Sequence, residues 1–133
     1  MYRTKAFLAY SLRRLGYLAL EQNDTPNALK YFRESLVLNR EIGDKPGVAA
    51  CFTGMAALAM DLEKPVLAAH LYGVVERRLE SLSMKLLSLD RAELERIRSQ
   101  LLTLLGEATF NAASTTGREM SEEQAIELVE EII

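Results

Sequence analysis

At 133 residues, with 16 Lys and Arg against 19 Asp and Glu and a formal net charge of −3, the chain has room for one continuous core but little for an elaborate active site. No apolar run approaches the roughly 20 residues of a membrane span, the N-terminal apolar segment carries charges unlike a signal peptide, and the single cysteine cannot close an internal disulfide. These features exclude a membrane-spanning or disulfide-framed protein, and the expectation is an all-α cytoplasmic domain rich in Leu, Ala, Glu and Arg.

The first helix is predicted over about Thr4 to Gln22, where Leu8, Leu12, Leu15 and Ala19 recur at steps of four, three and four and are expected to point inward. A four-residue break follows. In it Asn23 suits the left-handed end of one helix, Thr25 the cap of the next, and Pro26 a first helical turn. Ala28, Leu29, Phe32, Ser35 and Leu36 carry the second helix to about Glu41, before Gly43. The two form an antiparallel hairpin over about 4–42, and Gly16 and Ala28 permit close approach. Phe7, Tyr10 and Leu18 are surplus to the inner stripe. They are expected to pack on upstream repeats of a longer chain; alternatively, Phe7 and Leu18 pair this helix with its own copy in a homodimer.

A second hairpin over 45–82 repeats the first at a displacement of 40 residues: Met55 falls on Leu15, Ala56 on Gly16, Ala59 on Ala19, Glu63 on Asn23, Ala68 on Ala28 and Tyr72 on Phe32. Asp44 caps its first helix, which runs to about Leu62, and Pro65 starts its second, which ends near Leu82. Two departures stand out. Glu63 occupies a turn position that favours Gly or Asn, and Gly54 lies two residues before the expected small residue. Cys51 sits in an apolar helical pattern and reads as a buried thiol. His70 stands alone without ligand-spaced neighbours, and Glu76-Arg77-Arg78-Leu79-Glu80 reads as a solvated face with local ion pairs.

Residues 83–133 are expected to cap the pair of hairpins. Ser83 to Ser88 are ambiguous, and Asp90-Arg91-Ala92-Glu93 has the form of a capping box that starts a helix through Leu94, Ile97, Leu101 and Leu104 up to Gly106. A short helix over Glu107 to Ser114 buries Phe110. Ser121-Glu122-Glu123-Gln124 opens the last one, with Ala125, Ile126, Val129 and Ile132 inward. Charge is uneven: residues 1–46 hold eight Lys or Arg against five acids, and residues 90–133 hold four Arg against ten acids. That asymmetry lacks the concentrated basic face of a nucleic-acid footprint and would instead orient a protein partner.

Catalytic patterns are missing from the sequence. No glycine constellation matches a phosphate loop, one His and one Cys cannot close a zinc site, and no serine has a nucleophile setting. Carboxylate pairs such as Glu93 with Glu95 or Glu122 with Glu123 fall on exposed helix positions. The expectation is therefore a non-enzyme with no catalytic residue, no metal and no cofactor.

The succession Leu15-Gly16, Ala19, Asn23-Asp24, Ala28 and Phe32 resembles the tetratricopeptide repeat, although its 40-residue unit is longer than the usual length of about 34 residues. The resemblance implies a right-handed superhelical stack of antiparallel hairpins in which the first helix of each pair lines a concave face. On that face the expected contacts to a protein or peptide partner are Tyr10, Arg13, Tyr17 and Glu21 from the first hairpin, with Thr53, Ala57, Met60 and Asp61 from the second. Beyond the repeat, LYGVVERRLESL at 71–82 and the run from Leu89 to Glu131 resemble the C-terminal ends of large bacterial signal-transduction regulators of the MalT and LuxR type. Leu71, Gly73, Glu76, Leu105-Gly106-Glu107, Phe110, Gly117-Arg118-Glu119-Met120-Ser121 and Ala125 carry that likeness. It implies a regulatory scaffold that receives a signal, from a small effector or a protein, and passes it to modules outside this stretch. Direct nucleic-acid or membrane contact is not expected.

Overall fold

Three matching turns set the spacing of the first four helices, α1 (Tyr2–Glu21), α2 (Thr25–Glu41), α3 (Lys45–Asp61) and α4 (Pro65–Ser81). Each turn has one left-handed residue: Asn23 at φ 58°, Gly43 at φ 69° and Glu63 at φ 59°, each 20 residues after the last. The amide that follows reaches back five residues to close the preceding helix, from Asp24 to Ala19 at 2.8 Å, Asp44 to Asn39 at 2.9 Å and Lys64 to Ala59 at 2.9 Å. Glu63 thus adopts the conformation of Asn23 despite its side chain. Asp24 caps α2 by accepting from the Asn27 amide, with Thr25 and Pro26 inside the first turn, so the cap lies one residue before the expected Thr25. Asp44 caps α3 as expected, accepting from the Gly47 amide.

The computed structural model describes residues 2–81 and 88–132, which form helices joined by short turns with no strand among them. α1 packs along α2, α3 lodges against both, and α4 lies along α3. Phe32 of α2 is fully buried between Gly16 of α1 and Gly54 of α3, and a methyl group on either glycine would overlap its ring. The ring therefore explains why Gly54 departs from the expected position. It also explains a correction to α1: Leu8 and Leu15 are 46% and 41% exposed, and the buried face is Ala9, Arg13, Gly16, Ala19 and Leu20. Seating the Phe32 ring requires Gly16 to face α2, and this turns the leucine stripe outward by about one residue.

A small polar network ties α2 to both α1 and α3. Ser35 donates to the Ala9 carbonyl at 2.6 Å, and Cys51 and Asn39 close around it at 3.3 to 3.4 Å. Burial raises the Cys51 thiol pKa above its ordinary value, keeping it protonated.

The remaining helices are α5 (Ser88–Leu105), α6 (Glu107–Arg118) and α7 (Glu122–Val129). α5 leans on α3 and α4 through Leu94, Ile97 and Leu101, while Leu104 is 64% exposed rather than inward. Leu82 and Ser83 to Leu87 lie outside the described residues. α5 begins at Ser88, before the expected box, and the carboxylates of Asp90 and Glu93 bond to Arg13 and Arg96 respectively. α6 crosses α4 backbone to backbone: Gly73 lies against the Ser114 carbonyl and Gly117 against the His70 carbonyl. This contact extends α6 past Ser114 to Arg118. Phe110 is buried against Tyr72, with ring centroids 5.4 Å apart. α7 opens with the expected reciprocal capping box, Gln124 to Ser121 at 3.1 Å and the return bond at 2.8 Å.

Part of the uneven charge pairs within the molecule. Arg33 pairs with Glu130 at 2.7 Å, and Arg40 with Glu122 and Glu123 at 2.8 and 3.1 Å, so the acidic last helix reaches back to α2. Glu76 and Glu80 pair with Arg118 of α6, and Arg78 with Glu122, so the 76–80 run pairs across the fold instead of locally. Each exposed pair is worth at most about 1 kcal/mol, but together they fix where the last two helices sit. No described helix is long and apolar enough to cross a membrane.

Candidate functional site

The 40-residue displacement brings equivalent positions of α1 and α3 to one surface: Tyr17 corresponds to Ala57 and Glu21 to Asp61. These four line a cavity of about 290 Å³ that α5 completes with Glu93 and Arg96. A second cavity of about 540 Å³ continues it along α5, sharing Asp61 and Arg96 and adding Met60, Ser99, Gln100, Thr103 and Leu104. The result is one groove across the first helices of both pairs and α5. It has a carboxylate-rich end at Glu21, Asp61 and Glu93 and an apolar end at Met60 and Leu104.

Asp61, like Glu21, is an exposed groove carboxylate with no ion pair among the described residues. Partial burial raises the Asp61 carboxyl pKa, a shift that Arg96 opposes and Glu93 reinforces. Arg96 is held by Glu93 one helical turn away, which keeps its guanidinium firmly charged. Tyr17 forms the inner wall. Its ring meets Phe32 edge-on at 5.3 Å, and the Arg14 guanidinium lies over it at 5.3 Å. Its buried hydroxyl has no hydrogen-bond partner among the described residues, and burial with Asp90 and Glu93 nearby raises its pKa well above the ordinary value. At neutral pH it is a phenol.

Three residues expected on the partner-binding face do other work. Arg13 is 4% exposed and forms a two-pronged pair with Asp90, Nε to Oδ1 at 3.3 Å and a terminal nitrogen to Oδ2 at 3.2 Å. This pair joins α1 to α5 across 77 residues of sequence, and removing either member would strand a buried charge. Asp90 sits in the first turn of α5, where the helix dipole favours a carboxylate. Tyr10 remains exposed but stacks on Arg13 at 5.3 Å instead of entering the groove. Thr53 is buried and bonds to the Ala49 carbonyl of its own helix at 3.0 Å. Tyr17, Glu21, Ala57, Met60 and Asp61 are on the groove, with Ala57 as its buried floor. Phe7 and Leu18 are not part of the groove lining and are 73% and 47% exposed.

Sequence reasoning missed the α5 wall, because Glu93 and its neighbours read as a solvated helix face. The available signal was Leu104, a continuation of the Leu94–Leu101 stripe beyond the point where the fold buries it. No group of three or more potential metal ligands gathers among the described residues. Comparison with known protein families, curated proteins and solved structures returns no match to this chain.

Proposed function

We propose that this chain is a non-catalytic protein-interaction module built as a tetratricopeptide-like stack, and that the groove of α1, α3 and α5 receives a segment of a partner polypeptide. The observation that carries this reading is the convergence of five expected contact residues with Glu93 and Arg96 around one continuous groove. Its chemistry suits a segment with a basic side chain at the Asp61 end and an apolar one at Leu104. Such a partner would supply the cation that Asp61 lacks and cover the exposed leucine. The likeness to bacterial regulator arrays gives the setting: a scaffold arm that binds a partner or effector and relays its presence to output modules.

A phage-displayed library of random 12-residue peptides tests the proposal on the purified chain. Peptides with a Lys or Arg spaced from an apolar residue should be enriched, and Asp61→Arg and Leu104→Glu should each weaken their binding at least tenfold. Both positions are exposed, so circular dichroism should match the wild type. An empty selection, or enriched peptides indifferent to both changes, would refute the groove.

A further inference from the structure

Exposed apolar surface is concentrated on one helix. Among the described residues, Tyr2, Phe7, Leu8, Tyr10, Leu15 and Leu18 on α1 are exposed large hydrophobics, against Val37, Val66 and Leu104 elsewhere, each on a different helix. Phe7, Leu8, Leu15 and Leu18 share the outer side of α1, away from Ala9, Gly16 and Leu20. The repeat shows what such a side is built to receive. Forty residues on, Gly47, Val48, Cys51, Met55 and Leu58 are all buried, and α2 reaches this side with Asn39 at Gly47 and with Ser35 and Asn39 at Cys51. The same place in the repeat is therefore covered by a helix on α3 and left open on α1.

We propose that a second copy of this chain covers it, α1 against α1 in antiparallel order. Among the described residues α1 carries the one large exposed apolar stripe, so it is also the matching surface on a second copy. The stripe is self-complementary as well. Thr4, Leu8, Ser11, Leu15, Leu18 and Gln22 are spaced four, three, four, three and four, the a/d rhythm of a helical seam. A two-fold axis near residue 13 sets Ser11 opposite Leu15 in the two central layers, Leu8 opposite Leu18 in the layers that flank them and Thr4 opposite Gln22 at both ends. Arg14, beside the stripe, is held over its own Tyr17 ring, which draws its charge off the axis. Each copy would bury a few hundred Å² of apolar surface, which is small for an interface, so the dimer should dissociate on dilution through the micromolar range.

Sedimentation velocity from about 1 to 200 µM should show conversion from monomer to dimer, matching the micromolar affinity expected of a small seam. Leu8→Glu with Leu18→Glu should remain monomeric throughout with an unchanged helical spectrum. Single variants Ser11→Cys and Leu15→Cys supply the direction of pairing, since native Cys51 is buried. Mixed under oxidising glutathione they should form a covalent dimer that neither forms alone. A chain that is monomeric at every concentration, or that associates equally well with both glutamates present, overturns the proposal. The monomer result would assign the face to a helix outside these 133 residues. Cross-linking of either single variant with itself overturns the antiparallel order. The test is separate from the peptide-binding one, because Leu8 and Leu18 are off the groove.

Discussion

Glycine is used in opposite ways within the repeated half, residues 2–81, and at its junction with the C-terminal half, residues 88–132. Gly16 and Gly54 make room for a side chain, and the Phe32 ring fills the space between α1 and α3. Gly73 and Gly117 bring two backbones together, with a carbonyl directly over each missing Cβ. A ring can tilt or be exchanged for a smaller group, whereas backbone within a helix cannot retreat without moving the whole element. The first half thus tolerates variation in its contacts while repeating its turns, and the second half is attached by a junction with almost no slack.

The largest effect should come from Gly117→Ala. Its methyl group would meet the His70 carbonyl, and the expected loss is about 3 kcal/mol or more in urea unfolding. Hydrogen exchange should accelerate first across α6 and α7; uniform acceleration would mean that the two halves are not energetically distinct. Asp90→Asn comes next. It leaves Arg13 buried without its counter-charge and should cost about 3 kcal/mol, most of which Arg13→Met should restore in the double variant. Failure of that restoration would show that Asp90 acts through something other than the pair. The smallest effect has the opposite sign: Glu63→Gly relieves a left-handed glutamate, and a gain of up to about 1 kcal/mol should raise Tm by a few degrees. A loss there would make the Glu63 side chain, rather than its backbone, the important feature of the third turn.

Local signals in the chain were sufficient for the helices, the 40-residue repeat, the left-handed Asn23, the Asp44 cap, the Ser121 box and the burial of Phe32 and Cys51. Each depends on residues within about one helical turn, or on an apolar period that a short window reveals. The same repeat register placed Tyr17, Glu21, Ala57, Met60 and Asp61 on one surface, so much of the groove was legible too.

Tertiary structure decided which way α1 faces, because its stripe of Leu8, Leu12 and Leu15 pointed to one rotation and the fit of Phe32 against Gly16 imposes another. It also decided the fate of Arg13, whose partner is 77 residues away and whose burial no local pattern announces. The Glu93–Arg96 wall and the α4–α6 crossing have the same origin. Helix caps and periods are written within a few residues, but the rotation of one helix against another and the pairing of buried charges are settled by the assembled packing as a whole.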